Sequence, residues 1–267
     1  MIRTIYDSSR GQRVPVHVWS SELKADTERQ LVRIASQPWV VSHVAAMADA
    51  HVAEGVSVGT VFATENAVIP AALGGDLGCG MRAARFAYPA SALDRKTLER
   101  ILAAFGRSIP AGEETHRGRG VGVPDALMGE GLSTRALDHA RESLARRHLA
   151  TLGGGNHFLE LDRDEGGDLW AVVHTGSRGL GAVIAKHHRE AARAVDAGAD
   201  GTLAALDVTR DAGAAYLRDV TWALAFAKAN REAILRRAAE LLADITGCGD
   251  VREEVDVHHN FVAREDH

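Results

Sequence analysis

Two cysteines in 267 residues cannot make a disulfide framework, so an apolar core must hold the fold, and a reducing, cytoplasmic setting is expected. Aromatic residues are scarce at 5%, which argues against a surface that stacks on the bases of single-stranded nucleic acid. Excess positive charge is also missing, because the formal net charge is −5. A protein that blanketed a phosphate backbone would be basic, so an anionic substrate must be met by a local patch or by metal ions. The amino terminus, MIRTIYDSS, has no apolar stretch of signal-peptide length, and no apolar run reaches the ~18 residues of a membrane span. Internal repeats and low-complexity tracts are absent as well.

What is present fits a globular protein. Hydrophobic residues make up 46% and charged residues 25%, and the length suffices for one large domain or two small ones. Glycine is enriched at 27 residues, roughly 10% against a usual ~7%, and much of the excess falls where the chain must bend or approach a ligand. Short β-rich runs open the chain at Thr4–Tyr6, Val14–Trp19 and Trp39–Val41, with a helix from Ala25 to Ser36 between them. The run from Val56 to Leu73 is β-branched and is broken, like a hairpin, at Glu65-Asn66. A strand follows at Met81–Tyr88, and Asp94 caps a helix over Arg95–Phe105. Ala111 to Leu132 holds six glycines and scattered charge, and is expected to be a long mobile surface loop. A charged helix over Thr134–Leu149 precedes strands at Phe158–Leu161 and Leu169–Val173, joined by a turn at Asp162–Asp168. Leu180–Val195 reads as helix, Leu203–Thr246 as the longest helical segment, and Val255–Val257 as a last strand. Alternating strands and helices with hairpin-like pairs predict a mixed α/β (α+β) core.

The chemistry concentrates in a few glycine-flanked segments. Gly74-Gly75-Asp76-Leu77-Gly78-Cys79-Gly80 puts a carboxylate and a thiol three residues apart in one turn. His157 follows Gly153-Gly154-Gly155-Asn156, His174 ends an apolar strand before Thr175-Gly176-Ser177-Arg178-Gly179, and His258-His259-Asn260 ends another. A soft thiolate, a carboxylate and several imidazoles form the ligand set of a transition-metal site. Taken singly, Cys79 reads equally well as a small buried hydrophobe, and each histidine as a hydrogen-bonded structural residue. Five such residues in one strand-end setting favour the metal. His258 and His259 are neighbours on a strand and point to opposite faces, so only one can face the same centre. The glycine run before His157 offers backbone N–H groups to a phosphate, and Arg178, at a helix start, offers a bidentate phosphate contact. His187-His188 reads as a solvated helix face, and Cys248 as part of a helix-terminating turn. Asp49 and His51 read either as an acid–imidazole relay or as an exposed loop pair. Of the arginine pairs, Arg117/Arg119 in the glycine-rich loop is the better candidate for a polyanion contact than Arg146/Arg147 or Arg236/Arg237.

In order along the chain, HVAAMADAH, VIPAALGGDLGCGMRA, LATLGGGNHFLEL, VVHTGSRGLG, AKANREAI and DVHHNFV resemble the motifs of the RtcB family of RNA ligases, from about His43 to His267. The resemblance implies a mixed α/β fold of the family's own type, with mixed sheets flanked by helices around a central site for two manganese ions, and GTP as cofactor. It implies joining of RNA 3′-phosphate or 2′,3′-cyclic phosphate ends to 5′-hydroxyl ends through a histidine–guanylate intermediate, as in RNA repair and tRNA splicing. Asp76, Cys79, His157, His174 and His259 match metal ligands, with Cys79 bridging. Asn156, His157, Phe158, Leu159, Glu160, His259 and Asn260 match nucleotide-contacting positions, and Arg178 matches a position that holds RNA phosphate.

Two departures stand out. Met47-Ala48-Asp49-Ala50-His51 lacks the family's proline, and Val52-Ala53-Glu54-Gly55 alters the tail of that motif. The family's guanylylated histidine lies in a Ser-His-Gly-Ala-Gly-Arg motif that these residues do not contain, and His267 does not match it by context. The expectation is therefore a single catalytic domain over 1–267, incomplete at the carboxy terminus, whose catalytic nucleophile is unassigned. Two other functions fit the same residues. One is a metal-dependent phosphohydrolase acting on cyclic-phosphate RNA ends, and the other is a non-catalytic nucleotide- or RNA-binding remnant.

Overall fold

A computed structural model describes residues 1–118, 120–129, 131–196 and 201–265. Arg119 and His267, both singled out in the sequence, lie outside the described residues. The elements in chain order are β1 (Arg3–Ile5), β2 (Val16–Val18), α1 (Ala25–Ala35), β3 (Val40–His51), β4 (Val58–Thr64), β5 (Ala67–Val68) and α2 (Pro70–Leu73). Next come β6 (Gly80–Pro89), α3 (Arg95–Ser108), α4 (Asp125–Gly129), α5 (Arg135–His148), β7 (Phe158–Arg163) and β8 (Asp168–Thr175). The last are α6 (Arg178–Val195), β9 (Leu206–Asp207), α7 (Asp211–Thr246) and β10 (Val251–His258). This is a mixed α/β fold, as the alternation of patterns predicts. Among the described residues, no helix is long and apolar enough to cross a membrane.

The chain forms two compact units, Met1–Gly74 with Ala185–Leu217, and Gly75–Ile184 with Arg218–His267. In the first, β1-β2-β3-β4 form one sheet, with β2 and β3 parallel and the other pairs antiparallel. Its core joins Val16, Val18, Val44 and Ala46 of the sheet to Leu31 and Ile34 of α1. β3 runs on through Asp49 and His51, so these residues belong to a strand and not to a loop. The break at Glu65-Asn66 is present, with Asn66 at φ 54, but β5 then pairs with β9 and not with β4. Leu206-Asp207 therefore leaves the long helical segment expected from Leu203, and α7 starts at Asp211.

The second unit carries the candidate site. Its sheet has the order β10-β6-β8-β7, and every neighbouring pair is antiparallel. Strict alternation along β8 buries Leu169, Ala171 and Val173 on one face. There they pack with Ala84 and Phe86 of β6, Ile101 and Phe105 of α3, and Ile234, Leu235 and Leu242 of α7. Asp94 accepts a hydrogen bond from the Thr97 N–H and Thr134 one from the Leu137 N–H, so α3 and α5 begin at side-chain caps. Within 111–132 the structure includes the short helix α4.

Candidate metal centre

Sheet register brings the chemistry to one end of the sheet. Phe158 at the start of β7 faces His174 near the end of β8, His174 faces Met81 at the start of β6, and Met81 faces Val257 near the end of β10. The turn before β6 delivers Asp76 and Cys79 to that end, and the residues after β10 deliver His259. The two segments are laced together by their backbones. The N–H groups of His259 and Asn260 donate to the Cys79 carbonyl at 2.9 and 3.2 Å, and the Gly78 N–H donates to the Asn260 carbonyl at 2.9 Å. The Asn260 side-chain amide donates to the Asp76 carbonyl at 2.8 Å.

Five predicted ligands meet here. Cys79 Sγ lies 3.1 Å from His174 Nε2 and 3.8 Å from His157 Nε2. His174 Nε2 lies 3.1 Å from His259 Nε2, and His157 Nε2 lies 3.0 Å from Asp76 Oδ2. The donor atoms form two groups that share the sulfur, Cys79–His174–His259 and Asp76–Cys79–His157, with all atoms of a group within 4.8 Å of one another. The outer ring nitrogens fix the tautomers. His157 Nδ1 lies 3.1 Å from the Leu152 carbonyl, and His174 Nδ1 lies 3.0 Å from the Asn156 carbonyl. A carbonyl only accepts, so each Nδ1 carries the proton and each Nε2 turns a bare lone pair inward. Lone pairs converging on a sulfur and a carboxylate repel one another unless a cation stands between them. The donor set therefore fits a thiolate- and imidazole-binding divalent metal.

Electrostatics agree. Burial works against the Asp76 carboxylate, but its polar contacts with His157 and Cys79 and the nearby charge of Arg178 hold it below the ordinary range. Burial first, and then the Asp76 charge, push the Cys79 thiol far up. Without a metal the thiol keeps its proton, and a cation must displace it.

Arg178 stands at the rim. It has φ 60, a left-handed conformation that a non-glycine residue adopts only under constraint. Its Nε donates to Thr151 Oγ1 at 3.3 Å, and its Nη1 lies 3.5 Å from His157 Nδ1. The guanidinium rests on Gly153, where a Cβ would collide with it. Gly176 is needed for a similar reason, because a Cβ there would strike Asp76 Oδ1.

The remaining predicted residues have mixed placements. His258 turns away from the centre, with Nδ1 3.1 Å from the Gly78 carbonyl, while His259 lies past the end of β10, so the two point apart without being neighbours on one strand. The Phe158 ring packs 5.3 Å from the His174 ring. Leu159 packs against the apolar core, and Glu160 is exposed with its carboxyl pushed up by partial burial and by Asp162. His51 Nδ1 contacts the Asp49 backbone carbonyl at 2.6 Å and not its carboxylate, which removes the relay. His188 is buried, with its ring 5.0 Å from that of Tyr216, so the solvated-face reading fails for it.

Sequence reasoning assigned no role to Asn230 and Arg231, both fully buried on α7. Asn230 Nδ2 donates to the carbonyls of Thr151 and Gly176, and its Oδ1 accepts from the Thr151 N–H. Arg231 Nη1 donates to the carbonyls of Gly78 and Thr175, while Nη2 pairs with Asp256 at 2.7 Å. Together they tie α7 to the turns that present Cys79, His157 and His174. The available signal was two adjacent polar residues, Asn230-Arg231, inside an apolar periodic helix.

The profile of the family described as tRNA-splicing ligase RtcB matches residues 30–267. The chain belongs to the RtcB family. It is 32% identical to the RNA-splicing ligase RtcB of Escherichia coli strain K12 over 98% of its own length and 70% of that protein. It is 29% identical to the RNA-splicing ligase RtcB of Mycobacterium tuberculosis strain H37Rv over 89% of its length and 67% of that protein. To the tRNA-splicing ligase RtcB of Methanococcus maripaludis it is 24% identical over 96% of its length and 65% of that protein. RtcB membership covers the whole cluster of Asp76, Cys79, His157, His174 and His259.

Proposed function

We propose that this protein is an RNA ligase that uses GTP and manganese to join RNA 3′-phosphate or 2′,3′-cyclic phosphate ends to 5′-hydroxyl ends, through a histidine–guanylate. The observation that carries this reading is the convergence of three imidazole Nε2 atoms and one carboxylate on Cys79 Sγ in a chain of the RtcB family. Cys79, His174 and His259 would hold one cation, and Asp76, Cys79 and His157 a second, with the thiolate shared. A divalent pair supplies charge stabilisation to the entering and leaving oxygens of a phosphoryl transfer.

The chain's own residues do the positioning. Backbone carbonyls at Leu152 and Asn156 hold the two imidazoles in the ligating tautomer. Arg178, propped on Gly153, presents a guanidinium for the RNA terminal phosphate beside the centre. Asn156 through Glu160 and Asn260 lie on the segments that would border GTP. Two free buried thiols suit a cytoplasmic location, and RNA repair or tRNA splicing is the corresponding cellular role.

The test has two parts, run on the 267-residue chain with manganese. Equilibrium binding should show metal-dependent capture of GTP and preference for RNA ending in 3′-phosphate over RNA ending in 3′-hydroxyl. Labelled GTP should leave no covalent band, because no residue here matches the guanylylated histidine. Absence of both binding activities would overturn the ligase reading. A second reading rests on five assembled donors without a matched nucleophile: opening of a 2′,3′-cyclic phosphate with no joining would assign a phosphohydrolase.

A further inference from the structure

Away from the five donors, the second unit has a cavity of about 690 Å³, lined by Pro110, Glu114, Thr115, His116, Arg117, Gly118 and Arg147. We propose that this cavity is a subsite for one phosphodiester of a single-stranded RNA whose end lies at the metal centre. The inference rests on the ligase reading and adds to it a place where the strand is held beyond its reacting end.

Three observations support it. The first is charge. Arg117 and Arg147 set two guanidiniums on the rim against the single carboxylate of Glu114, in a chain whose net charge is −5. The surplus matches a phosphodiester monoanion. It is poorly matched to a nucleoside triphosphate, whose several charges would meet Glu114 as well. Both guanidiniums are on exposed residues, so a flexible strand can reach them.

The second is rigidity. The His116 N–H donates to the Arg147 carbonyl at 3.0 Å, and the Val121 N–H to the Arg146 carbonyl at 3.0 Å. Arg147 Nη2 also reaches Thr115 Oγ1 at 3.4 Å. The wall is pinned to the end of α5, and binding need not order a free loop.

The third is continuity with the metal centre. The Leu152 N–H donates to the Pro110 carbonyl, and the Gly112 N–H to the Gly153 carbonyl, each at 2.8 Å. Leu152 is the residue whose carbonyl holds His157, and Gly153 is the residue beneath Arg178. The cavity wall and the centre's rim thus share adjacent residues, so a strand engaged at Arg178 has a second cationic anchor within the same unit.

The experiment is fluorescence anisotropy with a labelled single-stranded RNA ending in 3′-phosphate, over a salt series with manganese present. The double variant Arg117→Gln/Arg147→Gln should bind this RNA about tenfold more weakly. Its log–log salt slope should be shallower by about 0.7, the value for one lost single-strand phosphate contact. Glu114→Gln should bind more tightly with a steeper slope. Calorimetric manganese and GTP affinities should stay at wild-type values in the double variant, which excludes misfolding as the cause. Unchanged RNA affinity and slope in the double variant would overturn the subsite while leaving the ligase reading intact. A parallel loss of GTP affinity would overturn it too, by making the cavity a nucleotide site. Failure of the unaltered chain to bind RNA would sink both readings together.

Discussion

Cys79 Sγ lies 3.1 Å from His174 Nε2, although the two residues are 95 positions apart in the chain. Antiparallel pairing of β6 with β8 makes this approach possible, because it sets the start of one strand beside the end of the other. The His174 proton sits on Nδ1, facing the Asn156 carbonyl, so the sulfur and the nitrogen meet without a nitrogen-bound proton between them.

Metal binding should release protons. Burial and the Asp76 charge raise the Cys79 thiol, so at neutral pH it is protonated and competes with the cation. The sign follows: affinity falls as pH falls, and rises with pH until the thiol ionises unaided. Calorimetry in buffers of different ionisation heat should report about one proton released per bridging thiolate, and an association constant that grows about tenfold per pH unit. A pH-independent affinity would mean that the thiol is not a ligand.

Arg231→Met should be strongly destabilising. It leaves Asp256 with only the longer 3.5 Å pairing to Arg82 and frees the carbonyls of Gly78 and Thr175. Breaking a buried ion pair from one side costs about 3–5 kcal/mol, which urea unfolding would measure. A loss below about 1 kcal/mol, in the range of surface pairs, would show that Arg231 is replaceable there.

Gly176→Ala and Gly153→Ala should separate the metal from its rim. The first drives a methyl into Asp76 and should weaken metal binding roughly tenfold or more, the range seen when groups that orient ligands are lost. The second displaces the Arg178 guanidinium and should weaken binding of 3′-phosphate RNA with metal affinity retained. Equal effects of both variants on metal affinity would contradict this division.

The β7–β8 turn should loosen in acid. Asp164 accepts from the Trp170 indole and from the Asp168 N–H, each at 2.9 Å, and these bonds hold its carboxyl below the ordinary value. A depressed carboxyl stabilises the fold above its unfolded pKa and loses that contribution as pH falls through the folded one. Asp164→Ala should therefore flatten the acid limb of the stability profile, measured by thermal melts from neutral pH downward.

Much of the site was legible because its residues are local signals. Strand ends flanked by glycine announced His157 and His174, and the Asp-x-x-Cys turn announced itself; His258 and His259 do point apart, but because β10 ends between them. The helices α3 and α5 were legible through the caps at Asp94 and Thr134. What the sequence concealed depends on long-range partners. β5 pairs with β9 across a gap no local pattern reveals, and so Leu206 was read as helix. His188 carries no sign of the Tyr216 ring that covers it. Arg231 resembles any solvated helix arginine until Asp256 and two carbonyls surround it.

The most direct test of the metal centre is anomalous diffraction at the manganese edge from crystals grown with manganese. The account predicts signal between Cys79 Sγ and the Nε2 atoms of His157, His174 and His259, lost in Cys79→Ala. Manganese bound elsewhere, or retained at that position without the sulfur, would contradict it.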